Sequence, residues 1–598
     1  MGKLIKELGK KELALLLMSV VVIALQVWAE LTLIDRMQEV TLLVTRSGGT
    51  TAKILIAGAK MLGLAGAGVL CSVAVGYAAS MIGANLAYKL RDKLFRQVQL
   101  FSMEEINRFS TASLITRSTN DITQVQMLVS MGMQVALRAP IMAIWALCKI
   151  ATKNWQWSMT VVAAVIFLCI MLAAIFFIAV PRFKKIQTLT DDINERMREN
   201  LTGLRVVRAY NAERFQEQKF ETANVALAEN NLVAHRVMAS IHPVMTGIMS
   251  GLTLAIYWIG VYLISAAALP QKVVLYSEMV TFSAYAMQIV MSFMMMSFIF
   301  LMFPRAMVSA RRIKEVLETD PKIKEGKRKT GLPGVRGEVT FENVSFTYPD
   351  AEMPVLERIS FTAKEGETVA FIGATGSGKT TVINLIPRFF DVSAGAIFID
   401  GVNVKEYESQ ALVQKIGYVS QKAVLFSGTV KENVVYGNEG RKQERENVIH
   451  ALETSSAYDF VMNKEGQENA FIARGGANFS GGQKQRLSIA RAIYKKPEIL
   501  IFDDSFSALD YKTDKQLRRA LKKEMKGTTV LIVAQRIGTI MDADKIIVMD
   551  EGKIAAMGTH KELLKTSEIY REIAASQLSE EELAKDSQVA KAGGQDNE

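Results

Sequence analysis

A phosphate-binding loop lies in the second half of the chain, where residues 373–381 read GATGSGKTT. This segment fits the pattern G-x-x-x-x-G-K-[ST], in which backbone N–H groups surround phosphate oxygens and the lysine reaches the β- and γ-phosphates. The hydroxyl that follows the lysine can bind Mg²⁺. The residues expected to contact the nucleotide are Gly373, Thr375, Gly376, Ser377, Gly378, Lys379, Thr380 and Thr381. The sequence therefore predicts that the chain binds ATP together with Mg²⁺.

Two aspartates end an apolar run further along the chain, in the segment ILIFDD. Asp503 is expected to hold the magnesium ion. Asp504 occupies the next position, where a glutamate would be expected to polarise the attacking water. Aspartate is one methylene shorter, and a displacement of about 1 Å can cost roughly 10²-fold in rate. The sequence therefore predicts ATP binding with weak hydrolysis.

The composition divides the chain into a membrane half and a soluble half. Half of the 598 residues are hydrophobic, and the long apolar runs lie in the first half. Six of them are long enough for a transmembrane helix, which needs ~20 residues. These runs are Leu13–Ile34, Ala52–Tyr88, Met127–Ile150, Trp157–Val180, Ala239–Leu269 and Met279–Met307. From Gly337 onward, short β-branched runs alternate with amphipathic helices, which predicts a mostly parallel α/β domain that positions the loop and the aspartates.

Four regions follow from these patterns. Residues 1–318 are predicted to form the membrane domain, with two long cytoplasmic connections, and residues 319–336 form a charged linker rich in glycine and proline. Residues 337–577 are predicted to be the nucleotide-binding domain, and residues 578–598 a charged, disordered tail. Lysine and arginine cluster at the ends of the apolar runs, which favours a positive-inside orientation over nucleic-acid binding as the reason for the net charge of +11. Both termini are therefore predicted to be cytoplasmic.

Further motifs accompany the phosphate loop in a fixed order: FTYPD with Tyr348, YVSQ with Gln421, FSGGQ at residues 479–483, FDDSFSALD, and LIVAQR with Gln535. Together with the loop, this set resembles the ATP-binding cassette (ABC) transporters of the exporter type, in which one membrane domain is fused to one nucleotide-binding domain. The resemblance implies a membrane α-helical fold of six spans fused to a cytosolic α/β P-loop domain. It also implies that Leu114–Asp121 (LITRSTND) is a short coupling helix, the alternative being a solvated helix without that role.

The resemblance further implies roles for individual side chains. Tyr348 would stack on adenine, unless it is an ordinary core aromatic residue, and Gln421 would link the metal ion to the coupling helix. A four-residue signature would contact the γ-phosphate of ATP bound to the opposite subunit, because a serine hydroxyl and a helix N-terminus complement an anion. Its members are Ser480, Gly481, Gly482 and Gln483.

Two positions depart from the family pattern, because Asp504 replaces the usual glutamate and Gln535 the usual switch histidine. The resemblance implies that each ATP site combines one chain's phosphate loop with the other chain's signature. A homodimer would then contain two impaired sites. The sequence therefore predicts an ATP-hydrolysing translocase that is one half of a heterodimer, whose partner carries the glutamate and the histidine. A slow homodimer and a nucleotide-gated regulator are the alternatives.

The cargo is the least defined part of the prediction. The sixth apolar run is rich in methionine, and the flexible thioethers of Met287, Met291 and Met295 suit apolar recognition unless they face lipid or other helices. Glu30 could pair with a cationic drug or lie in the membrane interface. These residues favour multidrug-type export of amphipathic molecules across a bacterial inner membrane. Lipid or peptide export, or siderophore import with an exporter fold, remains as an alternative.

Overall fold

The computed structural model describes residues 9–45, 50–437 and 444–578, so most of the predicted tail lies outside the described residues. The chain forms two compact units. The first consists of the residues up to Gln99 together with Thr111–Thr319. The second consists of Leu100–Ser110 together with the chain from Asp320 onward. The second unit is therefore not continuous in sequence.

Helices build the described part of the first unit. They are α1 (Lys10–Thr45), α2 (Thr51–Gln99), α4 (Thr111–Ala151), α5 (Trp155–Thr202), α6 (Leu204–Ala209), α7 (Glu213–Ala239), α8 (Ile241–Ala266) and α9 (Leu269–Leu317), while α3 (Met103–Phe109) belongs to the second unit. Within the described residues, six helical stretches are long and apolar enough to cross a membrane. This number agrees with the six predicted spans.

Aromatic packing and polar contacts hold the helices of the first unit together. Trp157 and Tyr285 are fully buried, and the indole of Trp157 donates a hydrogen bond to the carbonyl of Ile256 at 3.2 Å. Lipid tails are as apolar as these side chains, so close packing and interhelical hydrogen bonds stabilise a membrane bundle more than the hydrophobic effect does.

The N-terminal part of α4 is bound to α9 by polar side chains. Arg117 donates to Glu315 at 2.8 Å, and Asp121 accepts a hydrogen bond from Ser309 at 2.8 Å. Both residues of α4 lie in a π-helical turn, Arg117–Asp121, which belongs to the first unit. Leu114–Asp121 thus packs within the first unit, and a coupling role for this segment remains a prediction.

The short helix that groups with the second unit lies upstream, at α3. Ser102 caps it, and Glu105 closes a capping box by accepting a hydrogen bond from the backbone N–H of Ser102 at 2.7 Å. The other carboxylate oxygen of Glu105 accepts from the N–H of Lys322 at 3.1 Å. Lys322 also forms an ion pair with Glu104. These contacts join α3 to the chain that follows Asp320.

The second unit combines three sheets with helices. Its strands are β1 (Val339–Phe346), β2 (Leu356–Ala363), β3 (Thr368–Gly373), β4 (Ala394–Ile399), β5 (Val402–Asn403), β6 (Ile416–Val419), β7 (Gly428–Thr429), β8 (Phe471–Ile472), β9 (Ile499–Asp503), β10 (Thr529–Val533), β11 (Lys545–Asp550) and β12 (Lys553–Gly558). Its helices after α3 are α10 (Lys379–Leu385), α11 (Ser409–Lys415), α12 (Val430–Val434), α13 (Arg445–Thr454), α14 (Tyr458–Met462), α15 (Gly481–Tyr494), α16 (Tyr511–Glu524), α17 (Ile537–Ile540), α18 (His560–Thr566) and α19 (Glu568–Ala575).

The largest sheet has the order β12-β11-β3-β10-β9-β6, in which every pairing is parallel except that of β11 with β12. A second sheet, β2-β1-β4-β5, is antiparallel. Successive residues of β3 lie in different core clusters, with Ala370 and Ile372 in one and Val369 and Phe371 in the other. The large sheet is thus covered on both faces, as parallel sheets require. Burying one side chain such as Phe371 contributes about 1.5–3 kcal/mol.

The predicted linker is hydrogen-bonded to the second unit. The N–H of Gly326 donates to the carbonyl of Tyr407 at 3.1 Å, and the N–H of Leu332 donates to the carbonyl of Asp400 at 2.9 Å. The buried guanidinium of Arg388 donates to the carbonyl of Lys324 at 3.0 Å. Much of the segment 319–336 therefore packs as part of the nucleotide-binding unit.

We expect docking of α3 to depend on the charge of Glu105. Burial by itself raises the pKa of Glu105, but hydrogen bonds from Ser102 and from the N–H of Lys322 outweigh it, so this pKa lies below its usual value. The stabilisation is therefore complete above the unfolded-state pKa of about 4.3 and is lost as the pH falls through the lower folded-state pKa. At pH 7, Glu105→Gln should lower the hydrogen-exchange protection of α3 about fivefold, since a charged acceptor contributes ~1 kcal/mol more than a neutral one.

A matched control is Glu562→Gln, which changes the same capping-box position in α18, where the carboxylate accepts from Thr559. This variant should affect α18 and leave α3 unchanged. Unchanged protection of α3 in Glu105→Gln at pH 7 would contradict the prediction, as would a difference between this variant and the parent that persists well below pH ~4.

Candidate nucleotide-binding site

The residues of the second unit that are predicted to act on ATP lie at the carboxyl ends of neighbouring parallel strands. The phosphate loop follows β3, and Asp503 ends β9. Gln535 follows β10, and Gln421 follows β6. Ligands of open α/β sheets bind in the crevice at this edge. The sheet therefore brings together segments that are far apart in sequence.

The phosphate loop depends on glycines at positions that other residues rarely adopt. Gly376 and Gly378 have φ angles of +87° and +93°. A Cβ atom on Gly378 would lie 2.6 Å from Cδ2 of Leu356. The Lys379 ammonium folds over the loop and donates to the carbonyls of Gly373 and Ala374 at 2.8 and 2.7 Å. Burial lowers the pKa of Lys379, while the nearby charge of Asp504 opposes this. The loop thus holds its lysine where phosphate oxygens would bind.

Thr380 and Asp503, which are predicted magnesium ligands together with Gln421, contact each other. The hydroxyl of Thr380 donates to Oδ1 of Asp503 at 2.8 Å, and the hydroxyl of Tyr418 lies 3.4 Å from Oδ2. These oxygens suit Mg²⁺, which is usually held by one or two protein groups together with water and substrate phosphates. Burial raises the pKa of Asp503, and the adjacent charge of Asp504 adds to the effect, so a divalent cation would relieve an unfavourable pair of carboxylates. Among the described residues no cluster of three or more His, Cys, Asp or Glu side chains could hold a metal ion.

Asp504 is held by two neutral amides. Its Oδ2 accepts hydrogen bonds from Nε2 of Gln535 at 2.9 Å and from Nε2 of Gln421 at 3.2 Å. The residue is buried and has a φ angle of +46°, in the left-handed region. Burial raises the pKa of Asp504, whereas the hydrogen bond from Gln421 lowers it. The carboxylate is therefore fixed in place by groups that can neither accept nor deliver its proton. In the structure, Gln421 donates to the carboxylate of Asp504. A contact between Gln421 and a metal ion remains a prediction.

Tyr348 lies beside the phosphate loop. Its hydroxyl is 3.1 Å from the hydroxyl of Thr381, and its ring makes edge contacts with Phe346 and Phe390 at centroid distances of 4.8 and 5.3 Å. The ring is half-buried. Stacking of Tyr348 on adenine remains a prediction, since the aromatic cluster also gives the residue a packing role.

The signature residues form the start of α15. The hydroxyl of Ser480 accepts from the N–H of Gln483 at 3.3 Å, and Oε1 of Gln483 accepts from the N–H of Ser480 at 3.0 Å. Ser480 and Gly481 are exposed, and a Cβ atom on Gly481 would meet no atom within 4 Å. Within the described part of the chain, no hydrogen bond joins residues 480–483 to the phosphate loop. The signature is therefore preformed but makes no hydrogen bond to its own chain's loop.

Sequence reasoning missed two groups that the structure places among the predicted residues. Tyr418 bridges Asp503 and Asn384, and its hydroxyl donates to Oδ1 of Asn384 at 2.9 Å. The available signal was its position in the short strand segment before Gln421. Arg138 binds Glu30, with Nη2 at 2.8 and 2.9 Å from the two carboxylate oxygens. Glu30, for which the sequence leaves pairing with a cationic drug or a position in the membrane interface open, therefore already has a cationic partner in its own chain.

The predicted methionines share one face of α9. Met287, Met291 and Met295 are 48%, 36% and 37% exposed, whereas Tyr285 and Ile289 on the opposite face are fully buried. The spacing of four residues keeps the thioethers in one stripe. Contact between this stripe and a cargo remains a prediction.

Comparisons with known proteins agree with this architecture. Residues 15–304 match the model of the ABC transporter transmembrane region, and residues 356–507 match that of the ABC transporter. An uncharacterized ABC transporter ATP-binding protein of Mycobacterium tuberculosis is 39% identical over 532 residues, covering 88% of this chain and 90% of that protein. An ATP-dependent lipid A-core flippase of Syntrophus aciditrophicus is 30% identical over 525 residues, covering 86% and 84%.

The fold is also found among solved structures. A bacterial Atm1-family ABC exporter with ATP bound matches with a TM-score of 0.78 and 24% identity, covering 96% of this chain and 100% of that one. The family models and the relatives cover the membrane helices and the nucleotide-binding unit alike. The chain therefore belongs to the ABC transporter family, as a half-transporter with the exporter fold.

Proposed function

We propose that this chain is the hydrolysis-poor half of a heterodimeric ABC exporter. The observation that carries the proposal is the pair of hydrogen bonds from Gln421 and Gln535 to Asp504. General acid–base groups typically contribute about 10²–10⁴-fold to such reactions. A glutamine cannot titrate, and the shorter aspartate is tied to two amides. ATP and Mg²⁺ would bind at this site and be hydrolysed slowly there.

Two exposed surfaces of the chain support the proposal that it binds a partner subunit. The preformed signature at Ser480 and Gly481 is exposed, as a segment that completes another chain's ATP site must be. Large apolar side chains are also exposed around α6 at Leu204, Val206, Tyr210 and Phe215. The partner would supply the glutamate and the histidine, and its site would carry most of the turnover. A homodimer would pair two copies of the same amide-held Asp504.

The proposed reaction is ATP-driven export of amphipathic molecules across a bacterial inner membrane, with both termini cytoplasmic. The exposed stripe of Met287, Met291 and Met295 supports an apolar cargo. The lipid A-core flippase among the relatives supports a lipid as the second candidate.

We expect that restoring the two replaced side chains restores hydrolysis. The chain alone in nanodiscs should release phosphate from ATP near background, and the double variant Asp504→Glu, Gln535→His should do so at least about tenfold faster, because it regains a longer carboxylate and a titratable ring. The same double variant with Lys379→Ala should return to background. Co-expression with the partner half-transporter should raise the activity of the parent chain. Hydrolysis by the parent alone that equals that of the double variant would contradict the asymmetric site.

ATP binding should depend on the conformation of Gly378. Gly378→Ala combines a left-handed backbone, which costs roughly 1–2 kcal/mol for an alanine, with the contact to Leu356. Equilibrium titration with a fluorescent ATP analogue should show affinity at least about tenfold lower. Gly527→Ala is the matched control, since its φ is +82° and its nearest neighbour would be 4.0 Å away. Equal affinities of the two variants would contradict this role of the loop.

A further inference from the structure

Two ion pairs join α1 and α4, which are both long and apolar enough to cross a membrane. Glu30 of α1 binds Arg138 of α4, and Asp35 binds Lys149. Roughly 20 Å of helix separate Arg138 from the end of α4 at Ala151. Insertion scales put the cost of a charged residue at a helix centre at about 2.5–3.5 kcal/mol, and such residues mark pathways for substrates or ions. The pair at Arg138, well inside the helix, therefore needs an explanation.

The two ion pairs differ in how fully their groups are used. Both oxygens of Asp35 are engaged, by the ammonium of Lys149 at 2.8 Å and by the hydroxyl of Tyr285 at 2.6 Å. In the other pair, Nη2 is the one nitrogen of Arg138 that donates to Glu30, and it contacts both carboxylate oxygens. Gln26 donates to Glu30 as well, at 3.0 Å. Both oxygens of Glu30 are thus engaged, while the guanidinium uses a single nitrogen.

The guanidinium of Arg138 retains unused donors. Among the described residues, no oxygen accepts from its Nε or Nη1, and 31% of its side chain is exposed. A guanidinium presents five N–H donors in a planar fork that matches carboxylate and phosphate groups, and it is weakly hydrated. An apolar membrane domain therefore contains a cation that can take a further anion.

A third helix contacts α1 close to these ion pairs. The hydroxyl of Tyr285 of α9 donates to Asp35 of α1. The exposed methionine stripe that begins at Met287 lies on the opposite face of α9. Arg138 is therefore the group through which this part of the membrane unit could recognise the charged end of an amphipath.

We propose that Arg138 is the subsite for the anionic head group, phosphate or carboxylate, of the exported amphipath, and that Glu30 is the internal anion that holds Arg138 when no cargo is bound. This proposal rests on the exporter function above. A cationic drug meets no unoccupied carboxylate at this position, whereas an anion competes with Glu30 for one guanidinium. Neutralising Glu30 should therefore raise the affinity for an anion, and neutralising Arg138 should lower it.

The test is equilibrium binding of dodecyl phosphate, without nucleotide, to the full chain in phosphatidylcholine nanodiscs. Glu30→Gln should bind about fivefold more tightly than the parent, because a charge-assisted competitor is removed. Arg138→Gln should lose at least about tenfold. Arg138→Lys, which keeps the charge without the fork, should lie between Arg138→Gln and the parent. Asp35→Asn is the matched control on the same two helices and should bind as the parent does.

The direction of the Glu30→Gln effect decides the outcome. Weaker or unchanged binding by Glu30→Gln, or preferential binding of dodecyltrimethylammonium over dodecyl phosphate, would overturn the proposal, since a purely structural ion pair predicts losses in both variants. If phosphatidic acid in the nanodisc competes with dodecyl phosphate, the source of the head group is a bilayer lipid. If it does not compete, the source is a soluble amphipath. Binding needs no hydrolysis, so a negative result here leaves the phosphate-release measurements as an independent test of the exporter function.

Discussion

The parallel pairing of β3, β10, β9 and β6 is the constraint on which the candidate nucleotide-binding site depends. Val533 of β10 lies opposite Phe371 of β3 and opposite Asp503 of β9. This register sets Gln535 and Asp504 at the same edge, just beyond the phosphate loop. A slip of one residue would turn every side chain of a strand to the other face. The hydrogen bonds to Asp504 thus follow from a register that the buried faces of the sheet enforce.

Much of this site was predictable because its parts are local. The phosphate loop, Asp503 and the capped signature each depend on a few consecutive residues, and the structure has them in the expected local forms. The contact of Asp504 with Gln421 and Gln535 was not predictable, since it joins segments 83 and 31 residues apart. A sequence shows that an amide is present but not which oxygen it binds.

The membrane half shows the same division between local and distant information. Six spans follow from hydropathy alone, and the structure contains six such helices among the described residues. The sequence alone did not separate Leu100–Ser110, which groups with the second unit, from Leu114–Asp121, which groups with the first, because both contain short, polar helical segments. What separates them are tertiary contacts, of Arg117 with Glu315 and of Glu105 with Lys322. The partner of Glu30 was missed for the same reason, because Arg138 lies 108 residues away.

The discontinuous second unit has a consequence for modularity. Its chain passes out of the membrane unit at Leu100, contributes α3, and returns at Thr111. A soluble fragment that begins at Asp320 would omit α3 and leave the N–H of Lys322 without the carboxylate that accepts it. Recombination between relatives at a single crossover would likewise combine one protein's α3 with another's nucleotide-binding domain. An exchange of intact domains between relatives must therefore transfer both Leu100–Ser110 and the chain from Asp320 onward. This requirement favours inheritance of the whole chain.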